Sequence, residues 1–330
     1  MATGHSFSGS RVLITGGLGF IGSNLARKLV DAGAEVTLLD SLVPQYGGNL
    51  HNVAAFRNRV TVNIADVRDR YAMAYLVQGQ DYLFNLAGQT SHQDSMDDPF
   101  TDLEINATSQ LAILEACRKN NPRVTLVFAS TRQLYGRPEY LPVDERHPIR
   151  PVDVNGINKL AGESYHLLYS QVYGLHASVL RLTNTYGPAM RVKDARQTFL
   201  GIWIRNLLEG KPIKVFGDGQ QLRDFNFVDD VVEGFVLAAT TPGANAKVYN
   251  LGGSERINLK QLAALMIELH GSGSYEIVPF PPERKAIDIG DYYGDYRAAT
   301  EALGWTPRVP LREGLARSLE YYGRELAHYL

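Results

Sequence analysis

Cysteine is almost missing from this chain: Cys117 is the only one in 330 residues. That excludes an internal disulfide framework and a multi-cysteine zinc site, fits a reducing, cytoplasmic setting, and leaves Cys117 as a small apolar filler on a buried helix face. No metal site is expected. Long apolar runs are missing too, since nothing approaches the roughly 18 residues of a membrane span. The start, MATGHSFSGS, has no apolar signal core, so 1–10 is expected to be a flexible tail. Nor is there an excess of charge: 35 acidic and 33 basic residues give a net −2, no footprint for nucleic acid or an anionic membrane surface. No internal repeat or low-complexity segment occurs. With 45% hydrophobic and 21% charged residues the chain can bury a sizeable core, and a small soluble ligand is the expected partner.

From Arg11 to Leu182, short β-branched runs (RVLIT, EVTLLD, RVTVNIAD, YLFNLAG, VTLVFAS, HASVLRL) alternate with helical patterns. That rhythm predicts successive βαβ units, hence an α/β fold with a parallel sheet covered by helices on both faces. Beyond Asn184 it breaks into loops rich in Gly and Pro, with strands expected near 213–216 and 247–250 and helices near 259–270 and 311–329. The expected division is a dinucleotide-binding domain over 11–185, to which about 225–250 returns, and a smaller C-terminal α/β lobe from 186–224 and 251–330. Asp229 is the expected N-cap of the returning helix.

The segment VLITGGLGFIGSNLARKLVDAGAEVTLLD sets Gly16, Gly19 and Gly22 between a strand and a helix and ends the next strand on Asp40. Glycine permits the tight turn and lets backbone N–H groups approach a pyrophosphate at the helix N-terminus; an aspartate there accepts hydrogen bonds from the adenosine ribose hydroxyls. The strand, the helix and the acid agree, so this is a dinucleotide site. Asp40 would repel a 2′-phosphate, which favours NAD over NADP. Asp66, after the third strand, is a candidate for contact with the adenine, with an acidic helix cap as the open alternative.

Together with NLAG (85–88), ASTRQLYG (129–136), NKLAGE (158–163), RLTNTYGP (181–188) and GDGQQLRDFNFVDDV (217–231), in that order, this glycine loop resembles the extended short-chain dehydrogenase/reductase family, and within it the NAD-dependent sugar-nucleotide epimerases and dehydratases. The resemblance runs from about Arg11 to Pro307. It implies a Rossmann doubly wound sheet with a substrate lobe, and NAD held by Gly16, Gly19, Phe20, Ile21, Gly22, Asp40, Asp66, Leu86, Ala87, Gly88, Asn106 and Lys159. It also implies catalysis by a Ser or Thr, a Tyr and a Lys, with the Tyr four residues before the Lys. Four residues before Lys159 stands Asn155.

Asparagine neither gives nor takes a proton at working pH. In the family the lysine helps lower the tyrosine pKa from about 10 toward neutrality, so that the phenolate can take a proton as hydride leaves. Lys159 can still bond the ribose, but the proton needs another carrier. His92, in a loop that the resemblance turns toward the sugar, is the first candidate because histidine titrates near working pH. Tyr135, Asp94, the Asp144–Glu145 pair and a water held by Asn155 are further candidates. Thr131 occupies the Ser/Thr position. Directly after it, the Asp–Glu pair of the family's 4,6-dehydratases is replaced by Arg132 and Gln133, which disfavours dehydration.

On the substrate side the resemblance implies a nucleotide-diphosphate sugar met by Gln89, Ser95, Thr131, Asn184, Phe216, Arg223 and Arg284, the arginines matching phosphate oxygens. It also implies a homodimer through helices near 100–119 and 154–173. The expectation is a nucleotide-sugar epimerase acting through a transient keto-sugar with an atypical proton relay. A redox-inactive NAD and nucleotide-sugar binding homologue, or a 4,6-dehydratase with non-standard residues, stays open beside it.

Overall fold

In a computed structural model, residues 7–43 and 45–330 are described. Twelve strands occur among them: β1 Arg11–Thr15, β2 Glu35–Asp40, β3 Val60–Ile64, β4 Tyr82–Asn85, β5 Thr125–Thr131, β6 His176–Leu182, β7 Asn184–Tyr186, β8 Ile213–Phe216, β9 Leu222–Phe227, β10 Val248–Leu251, β11 Arg256–Asn258 and β12 Tyr275–Val278. Seven form one parallel sheet in the order β10-β6-β5-β4-β1-β2-β3. The order reverses between β1 and β4, the place where doubly wound sheets open a crevice at the carboxyl ends of their strands.

The β-branched runs make central strands because both faces are covered. Along β1, Val12 and Ile14 pack on one side with Leu25 and Leu29 of helix Phe20–Asp31 and Phe235 of helix Val228–Thr240. Leu13 faces the other side, with Ile113 and Cys117 of helix Ser109–Asn120 and Tyr169 of helix Val154–Tyr173. This is the two-residue alternation of a pleated strand.

The lobe holds two small sheets, β11-β9-β7 and β12-β8. Its final helix, Leu311–Glu325, ends in a short turn at Leu326–Tyr329 that is clasped to the segment after β2. There His51 Nε2 lies 2.9 Å from Glu325 Oε2, the His51 and His328 rings stack at 3.8 Å, and Asn49 Nδ2 donates to the His328 carbonyl. The same segment reaches the glycine loop, since the Asn49 N–H and Asn52 Nδ2 both donate to the Leu18 carbonyl.

Two expectations need correction. A loose tail does not describe residues 7–10: Phe7 is buried against Tyr82, and Gly9 and Ser10 exchange backbone bonds with Gly33 and Glu35. An apolar ring inside a polar stretch finds the sheet's flank. The rest of that tail, 1–6, lies outside the described residues. Asp229 is not the N-cap of helix Val228–Thr240 but sits in its first turn, paired with Arg317, and Phe227 holds the cap position. Helices 259–270 and 154–173 run as expected, whereas 100–119 is broken by a π turn at Glu104–Thr108 between helices Pro99–Leu103 and Ser109–Asn120.

Candidate active site

The turn after β1 is built so closely that only glycine fits. Gly16 has φ +68°, and a Cβ there would lie 3.0 Å from the Ala87 nitrogen; one on Gly22 would lie 2.2 Å from the Gly16 carbonyl. The loop therefore lies flush against the strand end that carries Leu86 and Ala87, and helix Phe20–Asp31 begins with no side-chain cap, leaving its first N–H groups for a ligand. At the end of β2 the Asp40 carboxylate accepts the N–H groups of Leu42 (2.9 Å) and Leu18 (3.0 Å). Burial raises its pKa while both bonds oppose that. A Cβ on Gly48 would come within 2.6 Å of Asp40 Oδ1, so the backbone leaves the carboxylate an open side. Gly16, Gly19, Phe20, Ile21, Gly22, Asp40, Asp66, Leu86, Ala87, Gly88 and Lys159 line one cleft, which fits an extended dinucleotide with a ribose at the acidic end.

The far end of the same cleft is lined by His92, Thr131, Arg132, Asn155 and Asn184. Thr131 Oγ1 accepts the Gln133 N–H, which leaves its own hydrogen for a ligand oxygen. Lys159 is buried, its Nζ donates to the Ala129 carbonyl at 3.2 Å, and a Cβ on Gly88 would come within 2.7 Å of that Nζ. Burial pulls its pKa down to about 8, with the charge of Asp102 acting in the opposite sense.

Asn155 is a strut in the cleft floor. Its Nδ2 spends its donors on the Gln89 carbonyl (2.8 Å) and on Asp102 Oδ2 (3.0 Å), and its backbone N–H donates to Ser95 Oγ. Asp102 is fully buried and also accepts from Asn106 (3.0 Å) and Asn158 (2.8 Å), so one carboxylate binds three carboxamides. The π turn inserts one extra residue per turn just where Asn106 must reach both Asp102 and the Gln89 carbonyl. Asp102 was not singled out in the sequence, although three asparagines at 106, 155 and 158 near structural landmarks are its signature.

His92 has a partner as well. Its Nδ1 is buried 3.0 Å from Asp153 Oδ2, close enough for an ion pair but off the line of a hydrogen bond. Asp153 caps helix Val154–Tyr173 through the Gly156 N–H and takes Gln133 Nε2 at 2.7 Å. Burial alone would raise its pKa; His92 and these donors outweigh that and lower it. The other proton-carrier candidates are engaged elsewhere. Tyr135 is buried between Arg181 and Asn250, and its pKa is pushed up to about 12 by burial. Asp94 pairs with Arg196, Asp144 accepts from Tyr140, and Glu145 accepts the Asn250 N–H.

Several expected contacts lie outside the cleft lining. Gln89, Ser95 and Asn106 are buried beneath it, where Ser95 Oγ donates to the His92 carbonyl and so joins that loop to Asn155. Arg223 is buried and held by the Leu222 and Gly290 carbonyls, Gln221 and Asp288. Phe216 and Arg284 meet each other, the guanidinium 5.5 Å above the ring, with Phe280 alongside. They form a separate cluster at the β8-β12 edge.

A glycine loop at the sheet's switch point, an acid closing the second strand and a buried lysine facing the crevice define a dinucleotide-dependent enzyme of the Rossmann class. The chain belongs to the NAD dependent epimerase/dehydratase family, whose model matches residues 12–252. It is 32% identical over 311 residues to a putative UDP-glucose 4-epimerase of Methanocaldococcus jannaschii, covering 94% of this chain and 97% of that one. Among solved structures it resembles the UDP-glucose 4-epimerase of Thermotoga maritima with UDP-glucose (TM-score 0.86, 31% identity, 96% of this chain and 99% of that chain). The dTDP-glucose 4,6-dehydratase of Streptomyces venezuelae with NAD bound is similar (TM-score 0.86, 27% identity, 94% and 96%). NAD is the cofactor, and the chain is a nucleotide-sugar epimerase/dehydratase enzyme. Among the described residues no helix is long and apolar enough to cross a membrane.

Proposed function

We propose that this enzyme is a nucleotide-sugar epimerase working through a transient keto-sugar, in which His92 carries the proton that a tyrosine at 155 would otherwise carry. Gly16, Gly19, Gly22, Asp40 and Lys159 would hold NAD along the cleft, where it would supply the reversible hydride acceptor for a sugar carbon. Thr131 donates its free hydrogen to the reacting sugar oxygen. His92 accepts the hydroxyl proton as the carbonyl forms and gives it back afterwards, and the buried Asp153, 3.0 Å from its Nδ1, fixes the ring. Lys159 holds the ribose side of the cofactor. Asn155, with its amide bound to Gln89 and Asp102, keeps the floor in place.

The observation that carries this reading is the 3.0 Å approach of His92 to a buried, ionised aspartate on the rim of the cleft that also holds Thr131. Arg132 and Gln133, standing where an acid–base pair would perform water elimination, speak against dehydration. The protein incubated with NAD and a panel of UDP-, dTDP-, CDP- and GDP-sugars, followed by NMR of the products, tests it. An inverted sugar centre is expected; a 4-keto-6-deoxy product would replace this reading with dehydration.

The reading includes a homodimer. Ile157, Leu168 and Val172 on helix Val154–Tyr173, with Phe100 nearby in sequence to the π turn, are between 47% and 75% exposed. A neighbouring copy of the same face would cover them.

A further inference from the structure

Among the described residues, Arg132 has no carboxylate in ion-pair contact. Its Nη2 donates to Asn184 Oδ1 at 2.8 Å, and its guanidinium lies 5.0 Å above the Tyr292 ring. Its Nη1 is buried without a hydrogen-bond partner, and among the described residues no carboxylate forms an ion pair with it. The two acids whose charge acts on it are committed elsewhere: Asp224 accepts from Thr183, Gly253 and Gly294, and Asp288 from Arg223, Gln221 and Gly290. Burial accordingly lowers the Arg132 pKa. A half-buried guanidinium whose Nη1 is shut away from water without an acceptor is costly in the empty protein. Arg132 also lines the cleft, directly after Thr131 and against Asn184.

Arg223, the expected phosphate ligand, is in the opposite condition: buried outside the cleft lining, with two carbonyls, an amide and Asp288 around it. We infer that Arg132 is the group that receives an oxyanion of the nucleotide sugar, either a diphosphate oxygen or a carboxylate carried by the hexose. This rests on the nucleotide-sugar reading above. A planar fork fixed on one side by Asn184 presents its remaining N–H groups to a flat or tetrahedral oxyanion, and the ligand supplies the missing counter-charge. The tyrosine face beneath keeps the plane from turning.

The test is calorimetry on the NAD-loaded protein with UDP, dTDP, CDP and GDP, and with the glucose and glucuronate conjugate of whichever binds, for wild type, Arg132→Met and Arg132→Lys. Loss of affinity of about 30-fold or more for the free nucleoside diphosphate in Arg132→Met assigns the oxyanion to the diphosphate. A loss confined to the glucuronate conjugate assigns it to a sugar carboxylate. Arg132→Lys keeps the charge without the fork and falls between. Melting of the ligand-free proteins separates binding from support: Arg132→Met is expected to melt at or above the wild-type temperature, because it removes a half-buried charge with an unsatisfied Nη1. Unchanged affinities with every ligand, or a lowered melting temperature in the ligand-free variant, would overturn the inference. Wild type that binds no nucleoside diphosphate or nucleotide sugar would overturn the nucleotide-sugar reading itself and the inference with it.

Discussion

The Asn155 amide shares the Asp102 carboxylate with Asn106 and Asn158. Replacing Asp102 by Ala would leave three buried amides short of an acceptor, each worth about 1–3 kcal/mol. Urea unfolding should therefore show Asp102→Ala at least about 3 kcal/mol less stable, and Asn155→Ala clearly less affected. Lys159 gives a second residue-scale prediction, with a definite sign. Its folded pKa of about 8 lies below the ordinary 10.5, so between those values the unfolded chain binds more protons and stability rises with pH. The full difference amounts to about 3 kcal/mol. Without NAD, Lys159→Met should be more stable than wild type at pH 7, and the advantage should shrink as pH rises from about 8 to 10.5. An advantage independent of pH would mean the ammonium is not the source of the cost. Asp40→Ala should weaken NAD binding and narrow its preference over NADP, as read by calorimetry.

At the scale of elements, helix 154–173 was placed by the family resemblance, whereas the first six strands of the sheet were legible because their signals are local β-branched runs. The glycine loop and Asp40 were legible for the same reason, three elements agreeing within thirty residues. The partners that give the site its character were not. Asp102 meets Asn155 across 53 positions, and His92 meets Asp153 across 61, so the chain records each residue but not the pairing. Phe7 misled through its polar neighbours, and the π turn leaves no periodic signal of its own. The helix that carries Asn155 and Lys159 inward also bears apolar side chains outward. If that face joins two copies, light scattering at micromolar concentration should give a dimer mass, and Leu168→Glu with Val172→Glu should give a monomer with little loss of stability. A monomeric wild type would end the homodimer reading.

Across the whole molecule, the C-terminus and the cofactor loop are mechanically joined. The turn Leu326–Tyr329 holds Asn49 and Asn52, and both of these hold the Leu18 carbonyl inside the glycine loop. Removing residues 326–330 should weaken NAD binding by about 0.5–2 kcal/mol although none of them lines the cleft, the usual scale for coupling through packed contacts. Unchanged NAD affinity in that truncation would show the clasp to be structural only. The route of the proton is the other property of the whole site. It is tested most directly by turnover of His92→Ala and Asn155→Ala side by side, with the nucleotide sugar that wild type converts. His92→Ala is expected to lose about 10²-fold or more in kcat, the scale of a general acid or base, while folded Asn155→Ala stays within about tenfold of wild type, as a supporting residue should. Full turnover in His92→Ala together with a collapse in Asn155→Ala would contradict the account.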